Sequence, residues 1–111
     1  MNPPHLIEAD GLIDALQRFA DDRGWQPYHT ARNLMLALTG EVGELAEIFQ
    51  WLNDDQVTAM RQDDPARYQH LQEEVADVLL YLVRLAHVMD IDLNQAVIDK
   101  MAKNAVKYPA T

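Results

Sequence analysis

Apolar residues recur along this chain at three- and four-residue intervals, in stretches separated by short polar breaks. Leu12, Ile13, Leu16, Phe19 and Ala20 predict an amphipathic helix from near Asp10 to Asp22, with Gly24 just past its end. Trp25 to His29 then reads as a loop. Thr30 is a suitable N-cap for a long second helix that carries Leu34, Leu38, Leu45 and Ile48 on one face and reaches about Leu52, where Asn53-Asp54-Asp55 breaks it. Residues 54 to 64 read as a polar connection with room for a short helical turn around Val57 to Arg61. Asp64-Pro65 supplies an N-cap followed by proline at the first helical position, opening a third helix that carries Leu71, Val78 and Leu82 to about Met89. Asp92, with Gln95 three residues on, starts a fourth helix that directs Leu93, Val97, Ile98 and Met101 toward the core. The tail after Lys107 reads as irregular, because Pro109 cannot continue a helix interior. No strand-like alternation competes, so the expected class is all-α, a four-helix-bundle-like arrangement within a single domain of 111 residues.

Four acids interrupt the apolar faces. Glu41 with Glu44, and Glu74 with Asp77, are each three apart, and residues three apart share a helix face. Carboxylates set into a core-facing stripe carry a desolvation penalty unless something positive neutralises them. If the second and third helices lie antiparallel, Glu44 comes near Glu74 and Glu41 near Asp77, and a formal charge of about minus four collects in one cleft. Hard divalent cations with oxygen ligands suit that arrangement, Mg2+ or Mn2+ first among them. Gly40 and Gly43 lie inside the same helix at a propensity cost of up to about 1 kcal/mol each, which points to close approach of a backbone or ligand or is simply tolerated. Glu47 extends the three-residue spacing, and Glu73 points about 100° away from Glu74; both stay outside the quartet.

Charge and composition narrow the function. Eighteen acidic against nine basic residues give a formal charge of −9, which argues against a nucleic-acid binder that works through a basic surface. A polyanionic substrate would have to arrive with its own metal. No cysteine is present, so a thiolate metal site and a cysteine nucleophile are excluded. Met1 to Ile7 lacks the basic and apolar regions of a secretion signal, and no apolar run approaches a membrane span, so the expectation is a soluble, cytoplasmic protein.

The segment from Arg32 to Trp51, RNLMLALTGEVGELAEIFQW, together with Leu71 to Val83, LQEEVADVLLYLV, resembles the MazG-like all-α nucleoside triphosphate pyrophosphohydrolases, and within them the dCTP pyrophosphatase group. The E-x-x-E, spacer, E-x-x-D pattern matches in order and helical context, and the likeness runs from about Phe19 to Pro109. It implies hydrolysis of a nucleoside triphosphate, with dCTP or a 5-modified dCTP foremost, to the monophosphate and pyrophosphate. It also implies Mg2+ held by Glu41, Glu44, Glu74 and Asp77. Trp25, Trp51 and Tyr81 occupy positions where that group carries aromatics, which suggests walls for the base. Lys100, with Asn104 one turn later, matches a lysine and an asparagine that similar enzymes place against phosphate or sugar. His29 completes a W-x-x-x-H arrangement shared with related sequences and is a candidate substrate contact. Leu16 stands where relatives associated with cytosine recognition carry a histidine, which leaves base identity open. The resemblance further implies a homo-oligomer, a tetramer or a dimer.

Two other readings compete. A di-iron carboxylate bundle needs E-x-x-H motifs on two helices, and no glutamate here has histidine at the third following position. A non-catalytic helical interaction module would keep the acids without needing Mg2+. Within the enzyme reading, dUTP or another non-canonical nucleotide is the alternative substrate.

Overall fold

The computed structural model describes residues 4–111. Among them the regular secondary structure is entirely helical: α1 (Asp10–Asp22), α2 (Ala31–Phe49), α3 (Asp54–Asp63), α4 (Pro65–Val88) and α5 (Leu93–Lys107), with a short 3-10 turn at Gln26–Tyr28. The helix starts follow the local chemistry read above. Thr30 accepts from the Asn33 amide at 3.2 Å and Asp64 from the Arg67 amide at 3.2 Å, with Pro65 entering α4 directly. Gly24 adopts φ 64 just beyond α1, the left-handed conformation that ends a helix without a Cβ clash.

The connection between the two acid-bearing helices differs from expectation. It forms a ten-residue helix, α3, instead of a polar link with one turn. The cause is a complete capping box: Asn53 accepts from the Gln56 amide at 2.8 Å, and the Gln56 side chain accepts from the Asn53 amide at 2.9 Å. At the start of α5 the box is only half made. Asp92 accepts from the Gln95 amide, but the Gln95 side chain turns forward to Asp99.

The centre of the fold is α4, against which α2, α3 and α1 all pack, α2 most extensively. Arg67 donates to the Ile48 carbonyl at 3.3 Å near one end of the α2/α4 pair, while Glu41 and Glu44 meet Glu74 further along. These pairings run in opposite directions, so α2 and α4 are antiparallel as expected. Leu34, Leu38 and Ile48 of α2, Val83 and Ala86 of α4, Ala20 of α1 and Met60 of α3 form the buried core.

That core is thin. Leu82 and Met101, expected to face inward, are exposed. α5 has no fully buried residue and packs substantially against no other helix. The radius of gyration is 17.2 Å, against about 13 Å for a compact chain of this length. The apolar residues Leu93, Val97 and Ile98 of α5 are therefore only half-covered, and its start is tied to the N-terminal segment through Asn94, whose side chain accepts from the Leu6 and Ile7 amides and donates to the Pro4 carbonyl. A Cβ added at Gly40 or Gly43 would meet nothing within 4 Å, so no backbone of the same chain accounts for these glycines.

Candidate active site

The facing surfaces of α2 and α4 bring Glu41, Glu44 and Glu74 together. One carboxylate oxygen from each lies within 4.8 Å of the others. The sequence expectation paired Glu44 with Glu74 and Glu41 with Asp77. Glu44 meets Glu74 in the structure, and Glu74 lies as close to Glu41; Asp77 stands outside this tight trio and acts on Glu41 through its charge. Glu74 is only 7% exposed, and its side chain approaches His70, one turn earlier, at 3.4 Å.

The electrostatic consequence falls on Glu41. Its carboxyl is pushed up from 4.5 to about 7, first by burial, then by its hydrogen-bonding approach to Glu74, then by the charges of Glu44, Asp77 and Glu74. Yet the Oε2 atoms of both Glu41 and Glu74 are buried with no hydrogen-bond donor. Two ionised carboxylates offer each other no proton, so the pair is satisfied by a shared proton, by a bound water or by a cation. Hard oxygen donors in a crowded anionic cleft fit a divalent metal.

Beside the acids, between α1, the loop after it and α4, lies a cavity of about 250 Å³. Trp25, His29 and Tyr81 line it together with Asp77, so Asp77 borders both the acid cleft and the cavity. Leu16 and Phe19 complete the α1 wall. Phe19 meets Trp25 edge-to-face, with ring centroids 5.5 Å apart, and Trp25 meets His29 at 5.9 Å. The Arg23 guanidinium lies 3.3 Å from the Phe19 ring centre and donates to the Phe19 carbonyl, fixing the outer edge of this cluster.

Sequence reasoning missed one residue. Arg84 also lines the cavity and is only 5% exposed. Its Nε donates to His29 Nδ1 at 3.0 Å and its Nη1 to Gln17 Oε1 at 2.8 Å, with His87 Nδ1 3.4 Å away. Burial, then the adjacent Arg84 charge, lowers the His29 pKa, so its imidazole is held neutral. The signal was available: Asp77, Tyr81 and Arg84 follow a four-then-three spacing on one face of α4.

Other expected site residues lie apart. Trp51 follows the end of α2 and is 84% exposed, away from the cavity walls. Lys100 is exposed and Asn104 half-buried on α5, and no hydrogen bond or ion pair among the described residues joins either to the acid cleft.

Residues 37–111, which hold both acid pairs, match the model of the MazG-like family. The chain belongs to the MazG-like family. This MazG-like chain is 52% identical to dCTP pyrophosphatase 1 of Mus musculus, over 96% of its own length and 64% of the relative's. It is 50% identical to dCTP pyrophosphatase 1 of Homo sapiens, over 83% of the chain and 54% of the relative. The chain thus spans less than two thirds of the length of these curated relatives. A solved pyrophosphatase from Archaeoglobus fulgidus superposes with a TM-score of 0.82 at 39% identity, covering 99% of this chain and 100% of that one.

Proposed function

We propose that this chain hydrolyses a nucleoside triphosphate to the monophosphate and pyrophosphate, with Mg2+, replaceable by Mn2+, held by Glu41, Glu44, Glu74 and Asp77. The observation that carries the reading is the pair of buried, donorless oxygens of Glu41 and Glu74 next to an aromatic cavity. Such oxygens are satisfied by a cation, a proton or a water, the crowding of three carboxylates favours the cation, and a neighbouring cavity is where a ligand bearing phosphates would reach them. When bound, the metal offsets the triphosphate charge and lowers the pKa of water near the attacked phosphorus.

The chain's own residues supply binding and alignment. Trp25 offers a face for base stacking, worth roughly 1–3 kcal/mol per base, and its contacts to Phe19 and His29 hold that face in place. Asp77 and Tyr81, one turn apart on α4, connect the acid cleft to the cavity. The base we assign is cytosine, as in dCTP or a 5-modified dCTP. The relatives named for dCTP support it, while Leu16 supplies only an apolar wall. The enzyme so read controls a cytoplasmic nucleotide pool. Among the described residues no helix is long and apolar enough to cross a membrane.

Homo-oligomeric assembly, as a tetramer or dimer, belongs to the same reading. The extended shape and the sparse packing of α5 against the other helices support it. Trp51, Lys100 and Asn104 would then serve a site shared between copies.

A panel of standard and 5-modified nucleoside triphosphates with Mg2+, resolving monophosphate and pyrophosphate from diphosphate and orthophosphate, tests the proposal. The expected products are dCMP and pyrophosphate, lost on addition of EDTA. Diphosphate products, or no turnover of any nucleotide, would refute it.

A further inference from the structure

A buried guanidinium without a carboxylate partner is costly unless its donors are used. Arg84 is such a group. Its companions include no carboxylate: they are a Gln17 amide oxygen and the ring nitrogens of His29 and His87. Nε and Nη1 are engaged, whereas no hydrogen bond among the described residues engages Nη2. Nη2 is also not among the sealed, partnerless atoms of the fold, so it keeps some exposure in a residue that lines the cavity. His29 lines the same cavity. Because its Nδ1 accepts from Arg84, the proton of the neutral ring resides on Nε2, leaving a second N–H donor. Both donors serve a cavity whose remaining walls are largely aliphatic and aromatic.

Their position suits a base edge. Arg84 is seven residues beyond Asp77 on α4, about 10 Å along the helix, which is the scale of the span from the phosphates of a nucleotide to the far edge of its base. Resting on the pyrophosphohydrolase reading above, we propose that Arg84 is a specificity-determining residue. Its guanidinium and the His29 ring N–H donate to the adjacent acceptors O2 and N3 of cytosine, selecting cytosine nucleotides over uracil and thymine nucleotides. In uracil and thymine N3 carries a hydrogen and confronts a donor with a donor. Substituents at C5 lie on the opposite side of the ring and do not disturb the pairing. Gln17 and His87 are positioning residues that hold the guanidinium in this orientation.

The test compares kcat and KM of the Mg2+-loaded protein on dCTP, dUTP and 3-deaza-dCTP, which replaces the N3 acceptor with a C–H. Wild type is expected to favour dCTP over both by about 10- to 100-fold in kcat/KM, because a mismatched edge leaves buried donors unpaired. Arg84→Met should bring the dCTP-to-dUTP ratio toward one, mainly through a higher KM for dCTP, and Arg84→Lys should restore part of it. An Arg84→Met protein that melts like wild type and keeps the ratio would overturn the assignment. The 3-deaza comparison needs no variant, so it decides even if Arg84→Met misfolds: equal turnover of dCTP and 3-deaza-dCTP by wild type also overturns it. Pyrophosphate release from dCTP and dUTP at equal efficiency would remove only the role of Arg84. No release from any nucleotide would remove the parent reading together with it.

Discussion

Replacing Glu41 with glutamine keeps the side-chain shape and removes one negative charge from the most crowded point of the acid cleft. In the metal-free protein the Glu41 carboxyl holds its proton up to about pH 7 instead of 4.5. A difference of that size corresponds to about 3 kcal/mol for a fully coupled group, and to about 1–2 kcal/mol once partial solvation is allowed for. The sign follows from linkage. Because the folded form binds the proton more tightly than the unfolded chain, the penalty is absent below about pH 4.5. It grows as the pH rises from 4.5 to 7, and is complete above 7. In EDTA at pH 8, Glu41→Gln should therefore melt higher than wild type, by about 4–8 °C per kcal/mol, and the gap should narrow at pH 5. Mg2+ should reverse the order. At a hundred times its Kd a ligand stabilises the folded state by about 2.7 kcal/mol, and wild type should gain more of this than a variant that lacks one oxygen anion. Thermal unfolding at both pH values, with EDTA and with Mg2+, checks the whole chain of reasoning. A variant that melts below wild type in EDTA at pH 8, or equal Mg2+ stabilisation of the two proteins, would refute it.

Three further outcomes are expected. Glu44→Gln should abolish pyrophosphate release while leaving the helical circular dichroism unchanged, and normal turnover would remove Glu44 from the site. Trp25→Ala should weaken nucleotide binding by roughly 1–3 kcal/mol, seen as a higher KM with a smaller change in kcat; an unchanged KM would count against stacking. Leu34→Ala, at a fully packed position of α2, should destabilise by about 2–5 kcal/mol in urea denaturation, and a cost near zero would show that the α2/α4 interface collapses into the space.

The helix starts were legible because they depend on neighbours in sequence: Thr30, Asp64 and Asp92 each cap the helix that follows. The acid trio was legible from spacing within two amphipathic stretches, as was the Glu44–Glu74 pairing, but the approach of Glu74 to Glu41 as well was not. Which acid faces which depends on how two helices slide along one another, and the packing puts Glu74 against both Glu41 and Glu44. α3 was read only as a short turn around Val57 to Arg61 because its apolar content is low and its full length rests on a reciprocal side-chain cap at Asn53 and Gln56. Arg84 was passed over because it belongs to neither acid motif and stands alone among apolar neighbours, with Val83 and Leu85 on either side. Only the convergence of α1, the Trp25–His29 loop and α4 buries it.

The capped α3 also bears on how the acids come together during folding. The Glu44-to-Glu74 stretch would, as a flexible loop, carry a closure entropy that grows with its length, added to the mutual repulsion of the acids it joins. With Asn53 and Gln56 fixing one end of α3, and Asp64 serving as the last cap of α3 and the first of α4, the stretch becomes a jointed rod that bends at two places. Its contacts are local in sequence, so they need little loop closure. The like charges are thereby held face to face by a connection that is capped at both ends and packed on α4, in place of a slack loop.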